Sequence, residues 1–288
     1  VKLALGTVQF GQNYGIANQA GQVSPAETKA ILELATAQRI NMLDTATSYG
    51  DSELRLGAIG IPNWQVVSKL PAVPDGCADI AGWVTDSAHA SLRRLGLQSL
   101  HGLLLHRPQQ LLDADGDQIF LALQNLKTMG LVEKIGVSIY DPAELDALCP
   151  RFEFDIVQAP FNLLDRRMIN SGWMNRLANS GTELHVRSIF LQGLLLMTPS
   201  ERPSKFNRWQ QLWSAYSEWL RSHEITPLQA CVRYSLSFAE ITKVIVGVDT
   251  AHQLQEIVEV TGGSILILPG TLQVQDCDLI NPSRWAAL

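Results

Sequence analysis

Short apolar runs alternate with longer segments of helical periodicity about eight times along this chain, and that count constrains the fold more than any single motif. The runs expected as strands are Lys2 to Leu5, Asn41 to Leu43, Gln65 to Ser68, Gly102 to Leu105, Lys134 to Val137, Asp155 to Val157, Glu183 to Val186 and Lys243 to Val246. Several are continuously apolar rather than alternating, the pattern of parallel strands covered on both faces. Helix starts lie between them. Ser24 precedes Pro25 and stands three positions before Glu27, and Asp141-Pro142-Ala143-Glu144 repeats that pattern. Asp79 precedes Ile80, Val84, Ala88, Leu92 and Leu95, which recur at helical spacing. Eight βα units close most economically into a single (β/α)8 barrel, a TIM barrel over residues 1–288 with its active site at the C-terminal ends of the strands. An open doubly wound sheet is the alternative. Gly6-Thr7-Val8-Gln9-Phe10-Gly11 does not fit the glycine-rich turn that usually opens one.

Strand ends are where such a barrel delivers chemistry. Asp44 follows Ile40 to Leu43, Lys69 follows Trp64 to Ser68, and His106 follows Gly102 to Leu105. The ends of the second, third and fourth strands are neighbours on the rim, so these side chains are expected to converge. Tyr49, five residues past Asp44, leans over the same mouth. A phenol in water has a pKa near ~10 and is a poor acid at neutral pH. An adjacent ammonium favours the ionised phenol, and a carboxylate paired with the ammonium holds it in place. An imidazole beside them can hydrogen-bond a carbonyl. Such a set protonates an oxygen while something else delivers hydride to carbon. Taken singly, His106 reads as structural, Tyr49 as a surface aromatic, and Lys69 with Asp44 as an ordinary ion pair. Their joint order at strand ends favours catalysis.

The composition excludes several other classes. With 46% hydrophobic and 17% charged residues, 288 residues bury a large core, and no linker divides them. A net charge of −6 without a basic stripe argues against a nucleic-acid partner. The longest apolar stretches, such as Ser264 to Leu268 and Leu194 to Met197, are far short of the ~20 residues that cross a bilayer, so no membrane association is expected. Val1 to Gly6 carries no secretory pattern. Cys77, Cys149, Cys231 and Cys277 lie far apart and read as free thiols of a cytoplasmic protein. His101 and His106 lack metal-ligand spacing, and no metal is expected.

The segment Asp44-Thr45-Ala46-Thr47-Ser48-Tyr49-Gly50-Asp51-Ser52-Glu53-Leu54-Arg55-Leu56-Gly57 resembles the long signature D-T-A-x-x-Y-G-x-S-E-x-x-L-G of the aldo-keto reductase superfamily. Ser68-Lys69-Leu70 and Leu105-His106-Arg107-Pro108 are similar to that family's lysine and histidine motifs, and the resemblance runs from about Leu5 to Glu256. It implies a nicotinamide-dependent reductase of an aldehyde or ketone. Tyr49 would be the general acid, Lys69 and Asp44 its tuning pair, and His106 the group that orients the carbonyl. A reduced or absent N-terminal hairpin is expected, because the first strand begins within a few residues.

The same resemblance places a cofactor. Gly6, Thr7 and Val8 at the first strand's end and Asp44 would contact it. Gly136-Val137-Ser138 and Gln158 are similar to the residues that hold the nicotinamide amide, with Ile139 where relatives carry Asn. Val186 to Leu195 resembles the loop that packs on nicotinamide and pyrophosphate, which implicates Arg187, Ser188, Leu191, Gln192 and Gly193. Arg187 stands where many relatives carry a stacking aromatic, and a guanidinium can also stack. Gly247, Val248, Asp249, Gln253 and Glu256 resemble the adenosine-phosphate loop and the helix after it. NADP(H) is the family expectation. Asp249 repels a 2′-phosphate but accepts from a ribose hydroxyl, so NAD(H) is a rival.

Two alternatives remain open at this stage: a redox-inactive nucleotide-binding regulatory subunit, and a Schiff-base lyase using Lys69 as nucleophile. The substrate is expected to be a small carbonyl compound, in one reading a sugar. Trp209, Trp213, Tyr216, Trp219 and Leu220 recur at helical spacing and are expected to pack a barrel helix. Leu196 to Asn207 is expected as a long rim loop that can close over substrate or cofactor.

Overall fold

The computed structural model describes residues 1–264 and 268–288. The apolar stretch from Ser264 to Leu268 lies largely outside the described residues. Eight parallel strands pair in sequence order, and the last returns to the first, which closes the barrel and excludes the open sheet. They are β1 (Leu3–Gly6), β2 (Met42–Asp44), β3 (Gln65–Leu70), β4 (Leu100–Leu105), β5 (Val132–Ser138), β6 (Ile156–Pro160), β7 (Glu183–Arg187) and β8 (Ile241–Gly247). Each expected strand is present, its ends shifted by at most three residues.

Side chains of a strand alternate between faces. Ala4, Met42, Val67, Leu104, Ile156 and Ile245 form a small buried cluster of their own, separate from the larger core. Two positions further along the same strands come Gly6, Asp44, Lys69, His106, Gln158 and Gly247. The apolar layer is therefore the floor on which a polar layer stands. A hydrophobic floor keeps water from the underside of the polar groups and strengthens their mutual electrostatics.

The helices begin where their caps require. Helix α1 (Pro25–Ala37) starts with the Ser24 hydroxyl accepting from the Glu27 amide at 3.2 Å. The Glu27 carboxylate does not fold back to complete a capping box; it accepts from the Ala251 amide across the fold. Helix α2 (Ser52–Ile59) follows the Tyr49 loop, and α3 (Ile80–Leu95) starts with Asp79 accepting from Gly82 at 2.8 Å. In α4 (Gln210–Ser222), Trp213, Tyr216, Trp219 and Leu220 are buried as expected. Trp209 precedes that helix and donates its indole N–H to Asp276 instead. The segment from Leu196 to Asn207 is not poised over the mouth along its length. Phe206 is buried edge-on against Trp285, and Lys205 donates to the Trp285 carbonyl at 2.8 Å, so its distal half is pinned to the C-terminal segment. No described helix is long and apolar enough to cross a membrane.

Much of the long signature turns out to be scaffolding. Glu53 is 3% exposed and accepts from the Ser68 hydroxyl at 2.6 Å, from the Ser91 hydroxyl, and from Arg94 at 2.6–2.7 Å. This carboxylate ties α2 to β3 and α3. Gly57 lets α2 approach α3 closely: a Cβ there would sit 2.0 Å from the Arg94 carbonyl oxygen. Replacing Glu53 by Ala removes the shared acceptor and leaves the guanidinium and two hydroxyls unpaired. We expect E53A to lose roughly 3–5 kcal/mol of stability, measured as a shift of the urea midpoint at unchanged slope. A shift below about 1 kcal/mol would remove Glu53 from the supports of the barrel.

Candidate active site

The Lys69 ammonium lies beneath the barrel mouth with no solvent exposure. It donates to Asp44 Oδ1 at 2.7 Å and to the Thr45 carbonyl at 2.9 Å. Burial, the largest single influence, would by itself drive the ammonium to give up its proton, but the Asp44 charge, the Tyr49 phenol and the hydrogen bonds to both together outweigh it, and the Lys69 pKa is raised above its ordinary value. The lysine is thus held as a cation. The Tyr49 ring stands over it, 5.0 Å from the ammonium to the ring centroid. His106 meets Tyr49 edge to face at 6.2 Å between centroids. All four strand-end residues converge, and the three at the surface line one cavity together with Asp44's neighbours on β1.

The height of Tyr49 is set by backbone contacts. Gly11 and Gly50 pass so closely that a Cβ on Gly11 would lie 1.7 Å from the Tyr49 carbonyl oxygen, and one on Gly50 2.2 Å from the Gly11 carbonyl oxygen. Below them Ser52 donates to the Thr7 carbonyl at 3.0 Å and contacts the Thr7 and Thr45 hydroxyls at 2.9 and 3.2 Å. Thr7, Thr45 and Ser52 are buried, so this network joins the ends of β1 and β2 to the loop that carries the phenol.

His106 is half-buried, and its Nδ1 lies 3.3 Å from the Ser48 hydroxyl. Burial, and then the positive charges of Lys69 and Arg187, push its pKa down to about 4. The imidazole is neutral at neutral pH.

The cavity has a volume of about 650 Å³, within the ~300–1,000 Å³ range of small-molecule sites. It runs from Tyr49 and His106 past the end of β1 to the loop after β8. Gly6, Thr7, Val8, Asp44, Arg187, Ser188, Gln192, Gly193, Gly247, Val248, Asp249, Gln253 and Glu256 line it, as the sequence leads one to expect. Ser138, Gln158 and Leu191 do not. Gln158 is fully buried, donates to Asp44 Oδ1 at 2.6 Å and accepts from Ser138 at 3.2 Å, so both belong to the shell that holds the lysine–aspartate pair. Leu191 packs into the larger core.

Other lining residues escaped sequence reasoning. Tyr14, Asn18 and Tyr140 come from loops and Gln9 from the helical turn Val8–Gly11 after β1, whose placement only the closed barrel decides. The loop after β1 reaches across the cavity: the Asn18 amide donates to Asp249 at 3.2 Å, the Gln192 amide donates to the Tyr14 hydroxyl at 3.2 Å, and Ala17 meets Gly193. Burial raises the Asp249 carboxyl above its ordinary pKa. His101, set aside as a metal ligand, pairs with Glu133 at 2.8 Å, and no cluster of three or more metal-ligating side chains occurs among the described residues.

The mouth of a closed parallel barrel thus carries a phenol over a buried ammonium. The chain matches the model of the Aldo/keto reductase family over residues 2–262 and belongs to that family. A 6-dehydroglucose reductase from Agrobacterium fabrum is 33% identical over 165 residues, 51% of this chain and 54% of the relative. An aldo-keto reductase from Mycolicibacterium vanbaalenii is 31% identical over 135 residues, 44% and 45% of the two. These matches span about half the length of the curated relatives. Among solved structures, an aldo-keto reductase from Bacillus halodurans in its holo form superposes with a TM-score of 0.73 at 20% identity, covering 92% of this chain and 88% of that one. A glycerol dehydrogenase from Gluconobacter oxydans gives 0.70 at 19%, covering 92% and 88%. The two solved structures share the fold.

The depressed histidine carries a stability signature. An unfolded His106 takes up a proton near the ordinary histidine value of 6.5, whereas the folded one waits until about 4, so unfolding binds protons in this window. The contribution is complete above pH 6.5 and is lost as pH falls toward 4. We expect the His106 ring resonances to titrate near 4 by NMR, and H106N to lose less Tm than the parent between those values. A ring titrating above 6 would contradict the site electrostatics.

Proposed function

We propose that this protein is a nicotinamide-dependent oxidoreductase that reduces an aldehyde or ketone to an alcohol. The observation that carries the reading is a phenol seated on a fully buried, carboxylate-paired lysine at one end of a dinucleotide-sized cavity. The cavity fits the cofactor in its donors and its contours. Gly6 and Gly247 line it at the ends of β1 and β8, and the Gln9 side chain packed beside Gly247 holds a buried oxygen with no partner, which supports a polar ligand group at this place.

Bound reduced nicotinamide supplies hydride to the carbonyl carbon. Tyr49 gives its hydroxyl proton to the carbonyl oxygen, and Lys69 stabilises the phenolate that remains. Asp44, held in turn by Gln158, keeps the lysine charged and in register. With the Ser48 hydroxyl donating to Nδ1, His106 carries its proton on Nε2 and presents it to the carbonyl oxygen. The same charged lysine disfavours a Schiff-base lyase, since a protonated amine is no nucleophile. The relative named for 6-dehydroglucose supports a sugar-sized carbonyl as substrate.

For the cofactor, the β8 end of the cavity favours NAD(H). Asp249 and Glu256 line that end, and Arg187, on β7, is the only Lys or Arg among the described lining residues. A 2′-phosphate would meet two carboxylates there.

Replacing Tyr49 by Phe is expected to lower carbonyl reduction, followed as NADH absorbance at 340 nm, by roughly 100- to 10,000-fold while leaving dinucleotide affinity nearly unchanged. Full turnover by Y49F would refute the assignment, and binding without turnover by the parent across aldehydes, ketones and sugars would favour a regulatory subunit. NADH is expected to bind about tenfold tighter than NADPH, ~1.4 kcal/mol of repulsion, and D249N should narrow that gap. Equal affinities in the parent would remove Asp249 as the discriminator.

A further inference from the structure

The cavity is electrically polarised. At its β8 end stand Asp249 and Glu256; at the β7 end stands one cation, Arg187. The guanidinium is fixed rather than free: one terminal nitrogen donates to the Ile139 carbonyl at 3.0 Å, the other to the Ser188 hydroxyl at 3.4 Å, and the plane lies 4.8 Å from the centroid of the Tyr140 ring. Those contacts use two of its five N–H groups, and no described carboxylate lies within ion-pair distance. Its field reaches His106, whose pKa it helps to lower, and the Tyr14 phenol. Arg187 therefore belongs to the same end of the cavity as the proton donor.

A half-buried cation without a counter-charge is an expensive thing to keep unless a ligand completes it. The guanidinium fork is suited to two oxygens of one anionic group, and its stacking on Tyr140 orients the fork before any ligand arrives. The geometry points to a substrate that places its carbonyl on Tyr49 and His106 and carries an anionic oxygen group, carboxylate or phosphate, that meets Arg187. The carboxylates at the β8 end repel the same group and set the direction in which the substrate enters. This inference rests on the carbonyl-reductase reading and narrows its substrate class to acids and phosphate esters bearing an aldehyde or ketone.

Matched pairs test it: succinic semialdehyde against butanal, and glyceraldehyde 3-phosphate against glyceraldehyde. The parent enzyme is expected to prefer the anionic member of at least one pair by about 100-fold in kcat/KM, and R187M to collapse that ratio toward one, with R187K intermediate. Which pair carries the preference separates carboxylate from phosphate. Reading the ratio cancels any effect of the substitution on the cofactor. The rival source of the anionic group is the dinucleotide's own pyrophosphate; it is identified if R187M weakens NADH binding about 100-fold while the substrate ratio stays put, and it overturns the proposal. A turnover-free arm uses calorimetry of succinate against succinamide on the parent and on R187M. If neutral carbonyls are reduced and charge confers no preference, the anion site fails alone. If succinate binds over succinamide through Arg187 but no carbonyl of either charge turns over, the anion site stands and the reductase reading fails.

Discussion

The ion pair between Lys69 and Asp44 is the interaction on which the rest of the site depends. Placing an ammonium where no water reaches it costs several kcal/mol unless a carboxylate and further hydrogen bonds meet it. Here the carboxylate stands at 2.7 Å, a backbone carbonyl at 2.9 Å, and Gln158 holds the carboxylate from the far side. The pair also exports its charge. The lysine stands under the Tyr49 ring, and after burial its charge helps to keep His106 neutral.

That pair needs a dry floor and a fixed roof. The floor is the apolar interior layer of Ala4, Met42, Val67, Leu104, Ile156 and Ile245, and the period of two along each strand lifts the polar residues directly above it. The roof is the loop after β2, pressed against the end of β1 by the interlocked backbones of Gly11 and Gly50 and by the hydroxyls of Thr7, Thr45 and Ser52. Glu53 then fastens the following helix to its neighbours. Residues of the signature that do no chemistry hold the one that is proposed to.

Much of this was legible from residues alone. Parallel strands buried on both faces leave continuous apolar runs, and the residue that ends such a run points into the mouth by strand geometry, which is why Asp44, Lys69 and His106 could be picked out before any coordinates. Loop residues left no comparable signal. Tyr14 and Asn18 reach the cavity from a long connection with no periodicity and Tyr140 from the short one after β5, and Gln158 and Ser138 do not line the cavity although they stand at strand ends. Trp209 departed from its helical row because its indole found Asp276, a partner 67 residues away.

The amino-acid sequence by itself determined the number and kind of structural units and marked Asp44, Lys69 and His106 as converging side chains, because those follow from local periodicity and from the side to which a strand end points. Tertiary structure alone decided the barrel's closure and the electrostatics: that Lys69 is wholly enclosed, that Gln158 donates to Asp44 rather than lining the cavity, and that Arg187 has no carboxylate at ion-pair distance among the described residues. Burial and counter-charge are properties of what surrounds a group in space, and residues from six different strands have to arrive before either exists.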